Sequence, residues 1–151
     1  MDCKNPPDTV HRVSDHTSEK INQKIRRDTI QRLNDDVDDD ASMISERIRE
    51  LNEEWDTERV LEAYCAGLVL AGTVLSLTKC KWGLILAGAA GCSLMKHALH
   101  GWCPSLPLIR SLGIRTSEEI YNEKTVLKQI RGDFSQVTSS VPLMLEIAER
   151  Q

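Results

Sequence analysis

The stretch Lys96–Pro107, KHALHGWCPSLP, gathers the residue types that most readily do chemistry in this chain. His97, His100 and Cys103 follow one another at intervals of three residues, which places the two histidines on one face of a helix. Imidazole and thiolate bind zinc, and imidazole also binds haem iron. Three such side chains do not complete a closed tetrahedral site, so a bound metal needs a further ligand or a second copy of the chain.

Cys103 also permits thiol chemistry. Nearby cations favour a thiolate, and three lie close to it in the sequence: Lys96, His97 and His100. A thiolate of this kind can carry a persulfide or be oxidised. The C-terminal end of a helix, in contrast, disfavours an anion. The thiol or metal site therefore stands as the alternative to a structural interpretation.

The structural interpretation is a helix stop formed by Gly101-Trp102-Cys103-Pro104. Gly101 ends the helix, Trp102 lies at lipid headgroup level, and the prolines at 104 and 107 prevent its continuation. A stop explains most of these residues. We therefore expect no catalytic residue, no metal and no cofactor here, with haem, metal and persulfide left open.

The elements that position this stretch are two long apolar runs. Between residues 60 and 109 the charged residues are only Glu62, Lys79, Lys81 and Lys96. A membrane-spanning helix needs ~20 mainly apolar residues, and the runs at about 60–78 and 82–100 are long enough. A buried hairpin in a soluble bundle is the rival interpretation, but the flanking helices are too polar to cover both runs. Segment 59–104 is therefore predicted to be a transmembrane helical hairpin.

Small and amphipathic residues predict how the hairpin packs and where it meets the interface. Every fourth residue is small on each helix, which predicts close contact between the two helices of the hairpin in lipid: Ala63, Gly67 and Ala71, then Gly83, Ala87 and Gly91. The remaining small residues, Gly72, Gly88 and Ala90, are expected to serve a second hairpin in a homodimer. Trp82 and Trp102 are 20 residues apart, about 30 Å along a helix, as expected of tryptophans at both membrane surfaces. The Lys96 amine is expected to reach the interface.

The flanks predict helices on the cytoplasmic side. Residues 1–17 are expected to be disordered, 18–58 to be a helical region, 105–134 to hold a juxtamembrane segment and a helix, and 135–151 to be a tail with a short helix at 143–149. Two apolar stripes offer docking faces for a cytoplasmic protein partner: Ile44, Ile48, Leu51 and Trp55, then Ile120, Leu127 and Ile130. Helix caps are predicted at Asp40 and Asp56, with a stop at Gly132.

Charge and cysteine usage indicate the compartment. The net charge is −4, and no charged segment precedes an early apolar run, so we expect no signal peptide. The five cysteines do not form a secreted disulfide pattern. Cations flanking the hairpin outnumber the two lysines of its turn, which places both termini in the cytoplasm: Arg47, Arg49, Arg59, Arg110 and Arg115.

An apolar hairpin that ends in Gly-x-Cys-Pro resembles the YgaP-like transmembrane domain family of bacteria. Small relatives also share EWD-ERVLEA before the hairpin and RGDF after it, here residues 54–63 and 131–134. The resemblance implies a small, two-helix protein of the bacterial inner membrane that self-associates. In some members the domain anchors a rhodanese sulfurtransferase, but 59 helical leading residues are too few for that domain.

The sequence thus predicts an all-α membrane protein: a two-helix transmembrane hairpin with amphipathic cytoplasmic helices on both sides. Its expected partners are the lipid bilayer, a second copy and a cytoplasmic protein, with no nucleic acid. The expected role is a structural or interaction scaffold and not an enzyme. The alternative is a thiol-, sulfur- or metal-handling protein that uses Cys103 with His97 and His100. A transport path is disfavoured, because no charge lies mid-membrane.

Overall fold

The computed structural model describes residues 8–78, 81–135 and 144–145, and these residues contain helices and no strand. The all-α class predicted from the sequence is confirmed. The chain divides into two compact units, one formed by residues up to Gln23 with Trp55–Ser117 and one by Lys24–Glu54 with the residues from Glu118 onward. The helices are α1 (Arg12–Asp15), α2 (Glu19–Asp35), α3 (Ala41–Glu53), α4 (Thr57–Leu77), α5 (Trp82–His100), α6 (Leu106–Ser111) and α7 (Ser117–Arg131).

The first unit, here called the hairpin unit, is built on the antiparallel pair α4 and α5. The two helices pack along each other, so the predicted pair of helices is present. At the end away from the turn, called the base, α1 and α6 close over the pair. A cluster of buried apolar side chains forms there: Val13, Leu61, Cys65, Cys103, Leu106 and Ile109.

The second unit, here called the α3–α7 unit, is held by the two amphipathic stripes. Ile44, Ile48 and Leu51 of α3 are buried against Ile120 and Leu127 of α7. Most of the two faces that the sequence offered to a cytoplasmic partner is therefore occupied within the chain, whereas Trp55 at the end of the first stripe belongs to the hairpin unit and is 50% exposed. The two stripes bury each other, and the apolar surface that both remove from water stabilises the contact between α3 and α7.

One buried carboxylate, that of Glu123, links α7 to α2 and α3 in this second unit. The Glu123 side chain is fully buried, and its two oxygens accept from Arg47 at 3.2 Å and from Arg32 at 3.3 Å. A buried charge is tolerated only when it is paired and hydrogen-bonded. Burial raises the pKa of the nearby Asp36 carboxyl, although Arg47, 3.9 Å away, opposes this effect.

The helix ends follow local sequence signals. The Asp40 carboxylate accepts from the amides of Ser42 and Met43, both at 2.9 Å, and the Asp56 carboxylate accepts from the Arg59 amide at 2.8 Å. These are the predicted caps. Gly132 directly follows α7 with a left-handed φ of 86°. The predicted boundaries at these positions are confirmed.

The segment before α2 differs from the predicted disorder at residues 8–17. Arg12–Asp15 form a helix, and Val13 is 3% exposed within the base cluster. A four-residue helix with one apolar side chain leaves no periodic signal in the sequence, so only its tertiary contacts reveal it. Residues 1–7 and the lysine at position 79 of the turn lie outside the described residues, as does the predicted tail helix except at Met144 and Leu145.

One helical run among the described residues is long and apolar enough to cross a membrane. Its bounds are Ala41–Leu77, which take in α3, the three residues 54–56 and α4; its most apolar 18 residues have a mean hydropathy of 1.8, and 17% of them are buried. The apolar part belongs to α4, because α3 is rich in charge. α5 does not qualify by the same measure, since Lys96, His97 and His100 lower the hydropathy of its last turns. A pair of spanning helices therefore stays a proposal.

Candidate functional site at the base of the hairpin

Residues 96–107 close the base of the hairpin. α5 ends at His100, and Gly101 adopts a left-handed conformation with φ 72°. The Gly101 amide donates to the His97 carbonyl at 2.7 Å. Pro107 then lies in the first turn of α6. The stretch therefore acts as the helix stop that the structural interpretation predicts.

Cys103 lies in the apolar interior and not in an open cleft. Its side chain is fully buried together with Cys65 in the base cluster. Its sulfur is 3.9 Å from the Ser105 hydroxyl. Reactive cysteines are partly exposed and lie in electropositive surroundings. The structure therefore gives the predicted thiol site no exposure to solvent.

The three cations that precede Cys103 in the sequence lie in different surroundings. The Lys96 amine lies 4.3 Å from the centre of the Trp102 ring, His97 points to α4, and His100 is exposed. Within the described ranges, no group of three or more His, Cys, Asp or Glu side chains is arranged to hold a metal ion. The structure thus does not bring His97, His100 and Cys103 together as one ligand set.

His97 is the polar centre of the base. It is 2% exposed, and its Nε2 lies 3.2 Å from the Glu58 carboxylate. The other Glu58 oxygen accepts from the Arg12 guanidinium at 3.0 Å, and Arg12 also donates to the Ala98 carbonyl at 3.2 Å. The hydrogen bond from His97 holds the pKa of the Glu58 carboxyl below its usual value, and Arg12 adds to this effect while burial opposes it.

The contact with Glu58 determines which ring nitrogen of His97 carries a proton. A carboxylate only accepts hydrogen bonds, so the imidazole donates its Nε2–H to Glu58. Nδ1 of His97 is buried and has no hydrogen-bond partner within the described part of the chain. The arrangement ties α1, α4 and α5 together at one point. This group of Arg12, Glu58 and His97 is here called the clamp, and its role is to hold the three helices together.

This clamp was missed by sequence reasoning, because Arg12 and His97 are 85 positions apart. One signal was present: Ala90, Leu94 and His97 are spaced by four and three residues and form one inward line on α5. Ala90 is buried and Leu94 packs on the base cluster. A histidine on the same line was therefore to be expected in the interior.

Arg110 makes a second polar tie at the base. Its side chain is fully buried. It donates to Asn22 at 3.0 Å, to Thr17 at 3.2 Å and to the Ile114 carbonyl at 2.9 Å. Arg115 is also buried. The two cations counted at the exit of the hairpin are therefore turned into the fold.

The contact between α4 and α5 does not use the line of small residues predicted on α4 but Gly72, which was expected to serve a second hairpin. Gly72 and Gly83 are buried, and a Cβ added at Gly72 would lie 2.5 Å from the Gly83 carbonyl oxygen and 3.1 Å from the Ala87 Cβ. A Cβ at Gly67 or Gly91 would meet nothing within 4 Å. Ala63 and Ala71 are exposed.

Of the six predicted packing residues, Gly83 and Ala87 thus lie at the hairpin contact, whereas the Ala63–Gly67–Ala71 line and Gly91 face outward. Burial of Leu61 and Cys65 at the base sets the rotation of α4 about its axis. That rotation brings Gly72, seven residues after Cys65, to the contact.

The aromatic residues predicted at the interface lie at opposite ends of α5. Trp82 begins the helix and is 75% exposed. Trp102 follows it and packs beside the base cluster.

Comparison of the chain with protein-family models, curated proteins and solved structures found no match.

Proposed function

We propose that this protein is a small integral membrane protein whose α4–α5 hairpin crosses the bilayer and whose α3–α7 unit lies on the cytoplasmic side. It acts as a homodimeric structural scaffold and not as an enzyme. The resemblance to YgaP-like transmembrane domains favours the bacterial inner membrane, with both termini inside. One observation carries the proposal: the apolar surface of the hairpin is exposed.

The exposed apolar residues lie around both helices near the turn. They are at least 46% exposed: Leu70, Val74, Leu75, Leu77, Trp82, Leu84 and Ile85. The core helix of a water-soluble protein buries such residues, and a contiguous apolar patch of this kind marks a protein or membrane contact. Only 17% of the apolar stretch of α4 is buried. We therefore prefer contact with a membrane to a place in the core of a water-soluble protein.

Helix lengths agree with the thickness of a bilayer. α4 has 21 residues and α5 has 19, or about 31 and 28 Å at 1.5 Å per residue, against a hydrocarbon layer of ~30 Å. We assign residues 60–78 and 82–99 to the bilayer. Glu58 and the clamp then lie at its cytoplasmic edge, and Lys81 lies at the opposite surface.

The outward line of small residues supports self-association. Ala63, Gly67 and Ala71 are exposed, and Gly67 and Gly88 have no atom within 4 Å of an added Cβ. Helices associate in lipid through lines of small residues that allow close backbone contact. A second hairpin therefore fits against this line, while Gly72 and Gly83 remain engaged within the chain.

Two experiments test the proposal on the full chain. First, membranes from expressing cells are washed with alkaline carbonate; the protein is expected to stay in the pellet, and its release into the supernatant would refute membrane insertion. Second, native mass spectrometry of detergent-purified protein is expected to give a dimer. Gly67→Leu should convert the dimer to monomer, while the control Thr73→Leu, at an exposed position on another face of α4, should leave it dimeric. Equal dimer fractions in the two variants would refute this interface.

A further inference from the structure

The short helix α6 has two faces of different surroundings. Leu106 and Ile109 are buried in the base cluster together with the adjoining Arg110. On the opposite side, Leu108 is 65% exposed, and Leu112, which caps the helix, is 72% exposed. Because the inner face of α6 already holds the helix in place, Leu108 and Leu112 form a separate apolar surface that is open to a partner.

The chain links this outer face to the apolar surface of the hairpin. On the last turns of α5, Met95 is 65% exposed and Leu99 is 54% exposed. After the turn at Gly101, α6 packs on the same cluster that holds Leu94 of α5. The apolar surface of α5 thus continues to the point where α6 is fixed.

The length of α5 sets the depth of α6. If Trp82 lies at one surface of the bilayer, 19 residues of helix, about 28 Å, bring Gly101 to the other surface. α6 begins five residues later and lies at headgroup level. Trp102, with the Lys96 amine 4.3 Å from its ring centre, has the amphipathic character that favours this level.

The charges near α6 indicate which part of the lipid it meets. Arg110 and Arg115 are both buried, and the exposed positions of the helix are Pro107, Leu108 and Ser111, followed by Leu112. No exposed cation on α6 is available for anionic headgroups. Contact through Leu108 and Leu112 is therefore apolar.

We propose that α6 is an interfacial helix that inserts Leu108 and Leu112 into the boundary between headgroups and acyl chains of the cytoplasmic leaflet. This inference rests on the proposed membrane hairpin. It assigns the base of the fold to the lipid interface. The interaction does not depend on anionic lipid.

Site-specific photocrosslinking in vesicles tests this placement. Benzoylphenylalanine replaces Leu108 or Leu112 in the full chain, reconstituted in phosphatidylcholine vesicles with and without phosphatidylglycerol. Leu84, 65% exposed on α5, is the matched position in the hairpin, and Arg49, 58% exposed on α3, is the aqueous control. After irradiation, mass spectrometry identifies the adducts, and circular dichroism verifies the helical content of each variant.

We expect lipid adducts at positions 84, 108 and 112, none at 49, and equal yields in both lipid mixtures. Lipid adducts at 84 without any at 108 or 112 would overturn the inference and leave the membrane hairpin intact. Absence of adducts at 84 as well would overturn the proposed function. A crosslink from 112 to a second copy, a yield at 112 that requires phosphatidylglycerol, or adducts at 49 equal to those at 112 would each count against the interfacial helix.

Discussion

The close approach of α4 and α5 at Gly72 and Gly83 gives the sharpest test of the fold. A Cβ at Gly72 would lie 2.5 Å from the Gly83 carbonyl oxygen and 2.8 Å from the Ala87 amide nitrogen. A Cβ at Gly83 would meet the Gly72 carbonyl oxygen and lie 2.6 Å from the Ser76 amide nitrogen. All these atoms belong to the backbone, so no side-chain rotation can relieve the contact.

The expected cost of Gly72→Ala or Gly83→Ala follows from these distances. Ordinary contact begins at 3.4 Å, so the helices must separate by roughly 1 Å, the difference from 2.5 Å. Overpacking of this kind costs about 1–3 kcal/mol. Replacing a helical glycine by alanine returns about 0.5–1 kcal/mol of that cost. We expect a net loss in the free energy of unfolding of about 0–2.5 kcal/mol for each variant, the difference between these two ranges.

Gly91→Ala is the matched control, because an added Cβ at this position meets nothing within 4 Å. It should stabilise the helix by about 0.5–1 kcal/mol. The measurement is reversible unfolding of the detergent-solubilised chain in sodium dodecyl sulfate, followed by circular dichroism. If Gly83→Ala unfolds at the same detergent fraction as Gly91→Ala, the reasoning about this contact is refuted.

Three further variants test the base of the hairpin and the α3–α7 unit. Gly101→Ala should cost about 1–2 kcal/mol or more, since its φ is 72° and an added Cβ lies 2.6 Å from Arg12 Cβ; a thermal midpoint equal to wild type would contradict this. The pKa of Glu58 is lowered from 4.5, so its stabilisation is present above about pH 4.5 and is lost as the pH falls through the folded value. Glu58→Gln should therefore flatten the acid side of the stability–pH curve, and an unchanged acid side would refute the clamp. Glu123→Ala leaves two arginines without their buried partner and should cost about 3–5 kcal/mol in denaturant unfolding, whereas exposed Glu53→Ala should change stability by less than about 0.5 kcal/mol; equal effects would contradict the buried pair.

Local features of this fold were predictable from the sequence because their causes are local. Asp40 and Asp56 cap the helices that follow them, and Gly101 and Gly132 end helices, each through contacts within a few residues. The helix α5 is bounded by Trp82 and His100, as the apolar run indicates. These signals need no knowledge of the tertiary structure.

Contacts between distant segments were not predictable in the same way. The stripe on α3 shows that one face is apolar but not what covers it, and α7 covers it. The spacing of small residues shows that α4 has lines of close approach but not which one meets α5. The rotation that selects Gly72 over Gly67 comes from burial of Leu61 and Cys65, and the Arg12–Glu58 pair comes from a segment without any periodic pattern.

The clamp at the base also sets an order of events during synthesis. Arg12 donates to the Ala98 carbonyl, 86 residues later in the chain. At about 5–20 residues per second, the ribosome delivers Arg12 roughly 4–17 s before its acceptor. Glu58 is likewise synthesised before its partner His97. Nearly all of the apolar hairpin is therefore made before the N-terminal segment can complete its contacts at the base.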